Sequence, residues 1–381
     1  MDPLTPVIVA ARRTPIGSAG HALREVTVER LAAPVLRSVL GDLDLDPGQV
    51  ADVVLGNCMG PGGNVARVSA LAAGLPDTVA GLTVDRQCGS GLTAITVAAS
   101  FVRAGQGDVY IAGGVESAST APWRHWPPSA DGEAPRRYSR APFAPPEVGD
   151  PEMGLAAEEV ARRAGIGRAR QDAYAARSHA RAAAAQDAGR FAAELVPVAG
   201  LERDERVRRG ITVERLARLR PAFAADGTVT AGNSSGVNDG AAAVVIVPER
   251  VRARFGWPGL AILGWETAGV SPLLPGLGPV PAVRRLLGRS GLSVDDLGVI
   301  EVNEAFAGQV LACYDALGLD PDRVCRDGGA LALGHPWGAS GAVLAVRLFS
   351  QMVVHGEAGP GLAAIAVGGG MGVALLVERV A

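Results

Sequence analysis

Apolar positions along the chain fall into two alternating textures. Short runs at Val7–Ala10, Val53–Gly56 and Ile111–Gly114 have strand character, and a stretch such as Val26–Leu40 between them carries apolar residues at helical spacing. The alternation returns later, predicting strands at Ala242–Val247, Ala261–Trp265, Val299–Val302 and Ala363–Val367 and a helix at Ala305–Leu317. Such alternation predicts an α/β layered fold. Between the two stretches the pattern breaks. From Ala118 to about Asp150 no periodicity is visible, and Trp123, His125, Trp126, Arg136, Arg137 and Arg140 stand among prolines. Met153–Phe191 reads as one Ala/Arg/Glu-rich helical stretch, and the charged segment Glu202–Arg209 leads towards Thr228. Three parts follow: a first half at 1–117, completed by about 238–262; an inserted loop and helical subdomain at 118–237; and a second half at 263–381.

Length and composition narrow the function more by exclusion than by suggestion. A chain of 381 residues predicts two or three packed substructures. With 48% hydrophobic and 20% charged residues it is of ordinary globular type. A net charge of −3 gives no electrostatic footprint for nucleic acid. Every cation is arginine. The absence of lysine excludes a Schiff-base enzyme and the lysine of a phosphate-binding P-loop. No signal-type run follows Arg12 and Arg13, and no stretch approaches 18 consecutive apolar residues, so no membrane segment is expected. Cys58, Cys88, Cys313 and Cys325 lack zinc or redox spacing and read as free thiols of a reducing cytoplasm, with no metal expected.

Four places could carry chemistry. Cys88, in Gln87-Cys88-Gly89-Ser90-Gly91, precedes an Ala/Val-rich helix. A helix N-terminus there is expected to lower its pKa and favour thiolate, and its own N–H could serve an oxyanion. The alternative is a small buried cysteine in a glycine-lined turn. His335, in Leu333-Gly334-His335-Pro336-Trp337-Gly338, is either a ligand-facing imidazole or a structural His-Pro turn. The other histidines, His21, His125, His179 and His355, read as surface or loop residues. Asn303-Glu304 directly follows the strand Val299–Val302, where Asn303 could be only an N-cap and Glu304 a first-turn charge. Finally Ala363–Val367 runs into Gly368-Gly369-Gly370, whose N–H groups could face a bound oxygen. A faint symmetry relates the Cys88 and His335 segments, each leading into a helix.

Taken in order, these segments resemble the thiolase family over nearly the whole chain. The resemblance runs from Arg13-Thr14-Pro15-Ile16-Gly17 through Gly63-Asn64-Val65-Ala66-Arg67, Gly113-Gly114-Val115-Glu116-Ser117, Met153-Gly154 and Gly227–Gly236 to the final glycines. It implies a thiolase fold: two similar βαβαβαββ halves in five αβαβα layers, with residues 118–237 inserted for CoA and acyl binding. It implies a coenzyme A thioester as substrate, no permanently bound cofactor, no metal, and a homodimer or homotetramer. It further implies that Cys88 carries the acyl group and that His335 activates it and helps hold the thioester oxygen of the second acyl-CoA. Asn303 would fix a water in that oxyanion hole, and the N–H groups of Cys88 and Gly368 would form the hole for the acyl-enzyme. Met153, Ser235 and Phe306 match positions lining the pantetheine tunnel, and Arg208 matches an arginine near the CoA adenine.

One position departs from the family. Where thiolases usually carry a second cysteine that moves the α-proton, this chain has Ala366, and Asp327 stands where asparagine is usual, adding a charge near His335. Losing a positioned acid/base costs about 100- to 10,000-fold. Three readings follow. The first is a CoA-dependent acyltransferase whose acceptor needs no proton removed by the enzyme. The second is Claisen chemistry with His335 or another base, as in an acetyl-CoA acetyltransferase. The third is a thiolase-like subunit acting with a partner protein. The Trp/Arg/Pro-rich loop Trp123–Pro146 lies where the family builds part of its acyl pocket and tetramer contacts; the alternative is a solvated loop.

Overall fold

The computed structural model covers residues 1–381. The first half contains strand β1 (Pro6–Arg13), the two-residue β2 (Gly17–Ser18), α1 (Val28–Gly41), β3 (Asp52–Gly56), α2 (Val65–Ala72), β4 (Ala80–Val84), α3 (Ser90–Arg103) and β5 (Tyr110–Ser117). The inserted region is less uniform than its sequence suggests. A small hairpin, β6 (Arg124–Trp126) and β7 (Arg136–Tyr138), stands in the segment expected to be loop. The single helical stretch expected over Met153–Phe191 is two helices, α4 (Met153–Arg163) and α5 (Arg168–Asp187). The break falls at Gly165, whose φ of +66° is a left-handed conformation that ends α4. A short α6 (Val213–Ala217) follows.

The chain then returns with β8 (Asn238–Pro248), α7 (Glu249–Phe255) and β9 (Gly259–Gly269). Next come α8 (Pro279–Ser290), β10 (Val299–Val302), α9 (Ala307–Leu317), α10 (Ala330–Leu333), α11 (Trp337–Phe349), β11 (Gly361–Val367) and β12 (Met371–Val380). β12 was not anticipated: the glycines after β11 are the turn of a hairpin, and Val367 pairs with Met371 across it.

The strands run in the order β10-β11-β12-β9-β1-β8-β5-β3-β4, with β2 beside β8. Two sheets meet in this path. The seam between them is only two residue pairs wide, Val7 with Ala261 and Ile8 with Leu260. Three buried apolar cores lie around the sheets. One, with α1 and α2, covers the outer face of the first sheet; another, with α8 and α9, covers the outer face of the second. The third is sandwiched between the sheets and is built on α3 and α11. The result is five layers, helix–sheet–helix–sheet–helix. The segment Trp337–Val354 is long and apolar enough to span a membrane, but here it is the mostly buried helix of the central layer.

α3 and α11 pack unusually closely. A Cβ added at Gly91 would lie 2.8 Å from both the Gly338 carbonyl oxygen and the Ala342 nitrogen, so glycine is required for the approach. The N-terminal ends of these two helices, preceded by Cys88 and His335, are thereby brought side by side.

Candidate active site

Cys88 sits in the turn from β4 to α3. The turn is tied together by Ser90, whose N–H and hydroxyl both donate to the Gln87 carbonyl (2.9 and 2.6 Å), while its Oγ accepts from the Arg86 N–H at 2.8 Å. The left-handed residue is Gln87, with φ +44°, an uncommon conformation for a non-glycine residue that marks strain beside a reactive group. Gly89 has an ordinary φ of −82°. Its missing side chain serves contact instead: a Cβ would stand 2.7 Å from the Val367 side chain of β11. The two halves therefore touch directly at Cys88.

The backbone N–H groups of Cys88 and Gly368 are aimed at the Cys88 sulfur. One comes from each half. The expected thiolate is nevertheless corrected. Burial pushes the Cys88 thiol up to about 12, the carboxylates of Glu116 and Asp85 push the same way, and the two N–H groups only partly offset them. Cys88 also precedes the first residue of α3 by two positions, so desolvation wins over the helix end. Cys58 lies behind this turn, donating to the Gln87 carbonyl at 3.1 Å, and burial pushes its thiol up too.

His335 follows Gly334, whose φ is +118°, and donates its backbone N–H to Asn238 Oδ1 at 2.9 Å. Its Nδ1 lies 2.6 Å from Ser340 Oγ, and Ser340 donates its own hydroxyl to the Pro336 carbonyl at 3.0 Å. With that proton committed, Ser340 can only accept, so Nδ1–H is the donor and Nε2 carries the lone pair. Burial holds the ring neutral, its pKa lowered to about 4. Nε2 accepts a long hydrogen bond of 3.4 Å from Asn303 Nδ2. Asn303 is therefore not a helix cap: α9 starts only at Ala307, and the Asn303 side chain faces His335. Glu304 is no first-turn charge either. Fully buried, it accepts from Tyr174 (2.7 Å), Ser178 (2.7 Å) and the Leu331 N–H (3.1 Å), fastening the α10 turn that leads to His335.

Asp327 is corrected as well. Its carboxylate is engaged by Arg190 at 2.6 Å and by the buried Arg347, and it adds no free charge beside His335. Ala366 is the half-buried penultimate residue of β11 and pairs with Gly372. Neither Cys313, which donates to the Gly276 carbonyl at 3.2 Å, nor Cys325, which donates to the Val302 carbonyl at 3.3 Å, replaces it.

The remaining expected positions divide. The Ser235 N–H donates to the Ala305 carbonyl at 2.9 Å, which sets it next to Phe306. The Phe306 ring meets Phe223 edge-on at 6.2 Å, and Phe223 packs against Gly154, the neighbour of Met153. Met153, Ser235 and Phe306 thus border one region. Arg208 stands apart on an exposed loop, its N–H donating to His179 Nδ1 at 3.2 Å. His179 was expected at the surface; it is buried on α5, with its pKa lowered to about 4 by burial and by Arg206 and Arg208. Arg206, not Arg208, reaches the Ser234 carbonyl, at 2.9 Å, and burial draws its pKa down to about 10.

Sequence reasoning missed Arg206, Ser340, Asn238 and the buried Glu116. Glu116 accepts from the Cys58, Met59 and Gly338 N–H groups at 3.1, 3.0 and 2.9 Å and ties the two loops of the site together. Glu116 and Ser340 lay within segments already singled out, Gly113–Ser117 and the glycine-rich run Gly328–Gly341 around His335.

A half-buried cysteine and a buried histidine stand at the ends of two packed helices on a two-sheet α/β fold, with backbone N–H groups from both halves beside the sulfur. The family models for the thiolase N-terminal and C-terminal domains match residues 6–250 and 258–379, and the chain belongs to the thiolase family. It is 44% identical over 378 residues to a putative acetyl-CoA C-acetyltransferase of Bacillus subtilis, covering 98% of this chain and 99% of that protein. It is 43% identical over 391 residues to an acetyl-CoA acetyltransferase of Pseudomonas aeruginosa, with 98% and 99% covered. The crystal structure of the Bacillus anthracis acetyl-CoA acetyltransferase superposes with a TM-score of 0.91 at 39% identity, covering 99% of each chain. The protein is an acyltransferase of the thiolase type, acting on acyl-CoA.

Proposed function

We propose that the enzyme takes an acyl group from acyl-CoA onto Cys88 and passes it to an acceptor that needs no proton removed by a second cysteine. The observation that carries this is Cys88 and His335 at the ends of two packed helices, with a bare methyl at Ala366. In the first half-reaction the Cys88 thiol proton goes to His335 Nε2, the ring nitrogen that carries the lone pair and is only weakly engaged by Asn303, and the sulfur attacks the thioester carbonyl. The negative oxygen is held by the N–H groups of Cys88 and Gly368. The carbon–sulfur bond to CoA then breaks, and the CoA sulfur takes the proton back from His335. A neutral thiol and a neutral imidazole suit this sequence, because the proton moves only when the nucleophile is needed.

Met153, Ser235 and Phe306 line the pantetheine path in this reading, within the inserted residues 118–237 and the adjoining 303–306 turn. Arg206 joins Arg208 on the CoA side. In this reading the enzyme works as a homo-oligomer in the cytoplasm.

A second reading is supported by the relatives, among them three named acetyl-CoA acetyltransferases. There His335 Nε2, next to Asn303, removes the α-proton of a second acyl-CoA.

The deciding experiment is intact-protein mass after incubation with a panel of acyl-CoAs, beside a Cys88→Ala control, followed by acetoacetyl-CoA thiolysis by the wild type and Ala366→Cys. The proposal expects one acyl group on Cys88, little thiolysis by the wild type, and about 100-fold more or better in the variant. Brisk thiolysis by the wild type would establish the second reading instead.

A further inference from the structure

Backbone carbonyls from two separate segments turn towards one cation. Arg206 donates through Nε–H to the Leu331 carbonyl at 3.3 Å, and through Nη2 to the Ser234 carbonyl at 2.9 Å and the Ala231 carbonyl at 3.4 Å. None of these carbonyls accepts from another backbone N–H. The guanidinium has no carboxylate partner, and burial with the neighbouring Arg208 draws its pKa down to about 10, so it is still charged at neutral pH. A half-buried charge without a counter-charge is held by its hydrogen bonds alone.

The side chain comes from a fixed stretch of chain. Asp204 is paired with the buried Arg13, the Glu205 N–H donates to the Ile16 carbonyl at 3.0 Å, and the Arg208 N–H reaches His179. What the guanidinium joins is the loop of Ser235 and the turn of His335. Ala231 and Ser234 lie in the loop, and Leu331 lies in α10, which runs into His335. A second link passes through Gly236. A Cβ there would stand 2.7 Å from Arg206 Nη1 and 3.1 Å from Asn238 Oδ1, the atom that accepts the His335 N–H.

We propose that Arg206 is a positioning residue whose tethered charge gathers the loop 231–236 and the α10 turn, setting the pantetheine side and His335 in place together. The proposal rests on the reading of Cys88 as the acyl carrier and His335 as its base.

The test measures the rate of single-acyl adduct formation on Cys88 against the concentration of acetyl-CoA and of butyryl-CoA. The saturating rate and the half-saturation point are read separately. The proteins are the wild type, Arg206→Ala, Arg206→Gln and Arg206→Lys, with thermal midpoints recorded beside them. A small misplacement of a working group costs up to about 100-fold, so the saturating rate of Arg206→Ala is expected to fall by about 10- to 100-fold. Arg206→Lys, which keeps a charge, is expected to retain more rate than Arg206→Gln; the reverse order overturns the role of the charge. Millimolar guanidinium chloride should restore the rate of Arg206→Ala, and urea, a neutral molecule of like shape, should not. A change confined to the half-saturation point would make Arg206 a contact to CoA itself and overturn the proposal. Lost rate without guanidinium rescue, or with equal rescue by urea, leaves only a packing role and overturns it too. If the wild type forms no adduct with either donor, the acyl-carrier reading fails and takes this proposal with it; an adduct formed equally fast by every variant overturns the positioning role alone.

Discussion

At the scale of single residues, the site is defined by how burial sets protonation. Cys88 and His335 rest as a neutral pair, the thiol pushed up to about 12 and the imidazole down to about 4. An ion-paired cysteine would alkylate at a rate that levels off below pH 7. Cys88 should instead react with iodoacetamide at a rate still climbing between pH 9 and pH 10; a plateau near neutrality would show that the thiolate is already present. Burial of the histidines has a separate consequence for stability. The folded pKa values of His335 and His179 lie near 4, below the ordinary 6.5. Above pH 6.5 both rings are neutral whether the chain is folded or not. As the pH falls through 6.5 the unfolded chain takes up protons that the folded one refuses, so stability drops. The slope is at most about 1.4 kcal/mol per pH unit for each histidine. Glu301, raised by burial to about 7, acts in the opposite sense over the same range. The histidine contribution is therefore read by difference: from pH 7 to pH 5 the urea midpoint of His179→Gln should fall less, or rise more, than that of the wild type.

At the scale of elements, the decisive contact is between α3 and α11. Gly91→Ala would drive a methyl into the α11 backbone, and about 1–3 kcal/mol of destabilisation is expected from such overpacking. Because α11 follows directly on His335, activity at a temperature where the variant is folded should fall as well; a stable, fully active variant would show that the helices can separate without cost to the site. The sequence made much of this element structure legible. β-branched runs and helical spacing located β1, β3, β5, β8, β10, β11 and α1, because those elements bury a face and their periodicity records it. Glycine-rich turns marked Cys88, His335 and Gly368. Other features left no periodic trace. The hairpin β6–β7 is short and largely exposed, and the break between α4 and α5 depends on one left-handed glycine. The thiol's protonation could not be read either, since a helix start is visible in sequence and the desolvation that overrides it is not. Ser340 and Asn238 gain their roles only through the folded geometry, five and 97 residues from His335.

At the scale of the whole molecule, a buried ionic network reaches from β1 to Asp327 in the turn before α10. Arg13 is held by Glu194 and Asp204, Glu194 also meets Arg347, and Arg347 and Arg190 share Asp327. Breaking such a network is more costly than its absence, because a partner charge is left buried. Asp327→Asn, the residue usual in the family, should therefore destabilise the protein by about 3 kcal/mol. The pH profile of turnover should stay close to that of the wild type, because burial rather than Asp327 sets the His335 proton affinity. A displaced profile with unchanged stability would refute this assignment.

The narrow seam between the sheets gives the site a mechanical character. Of the two N–H groups that converge on the Cys88 sulfur, one is carried by the half that holds the sulfur and the other by the opposite half. The strands themselves are sewn across this boundary at only two residue pairs. The gap between the two donors is therefore a readout of how the halves are seated, with the chemistry as its pointer. A slip too small to break any strand or helix would already part the two N–H groups at the Cys88 sulfur. Turnover should thus fade in mild denaturant while the circular-dichroism spectrum is still that of the intact fold.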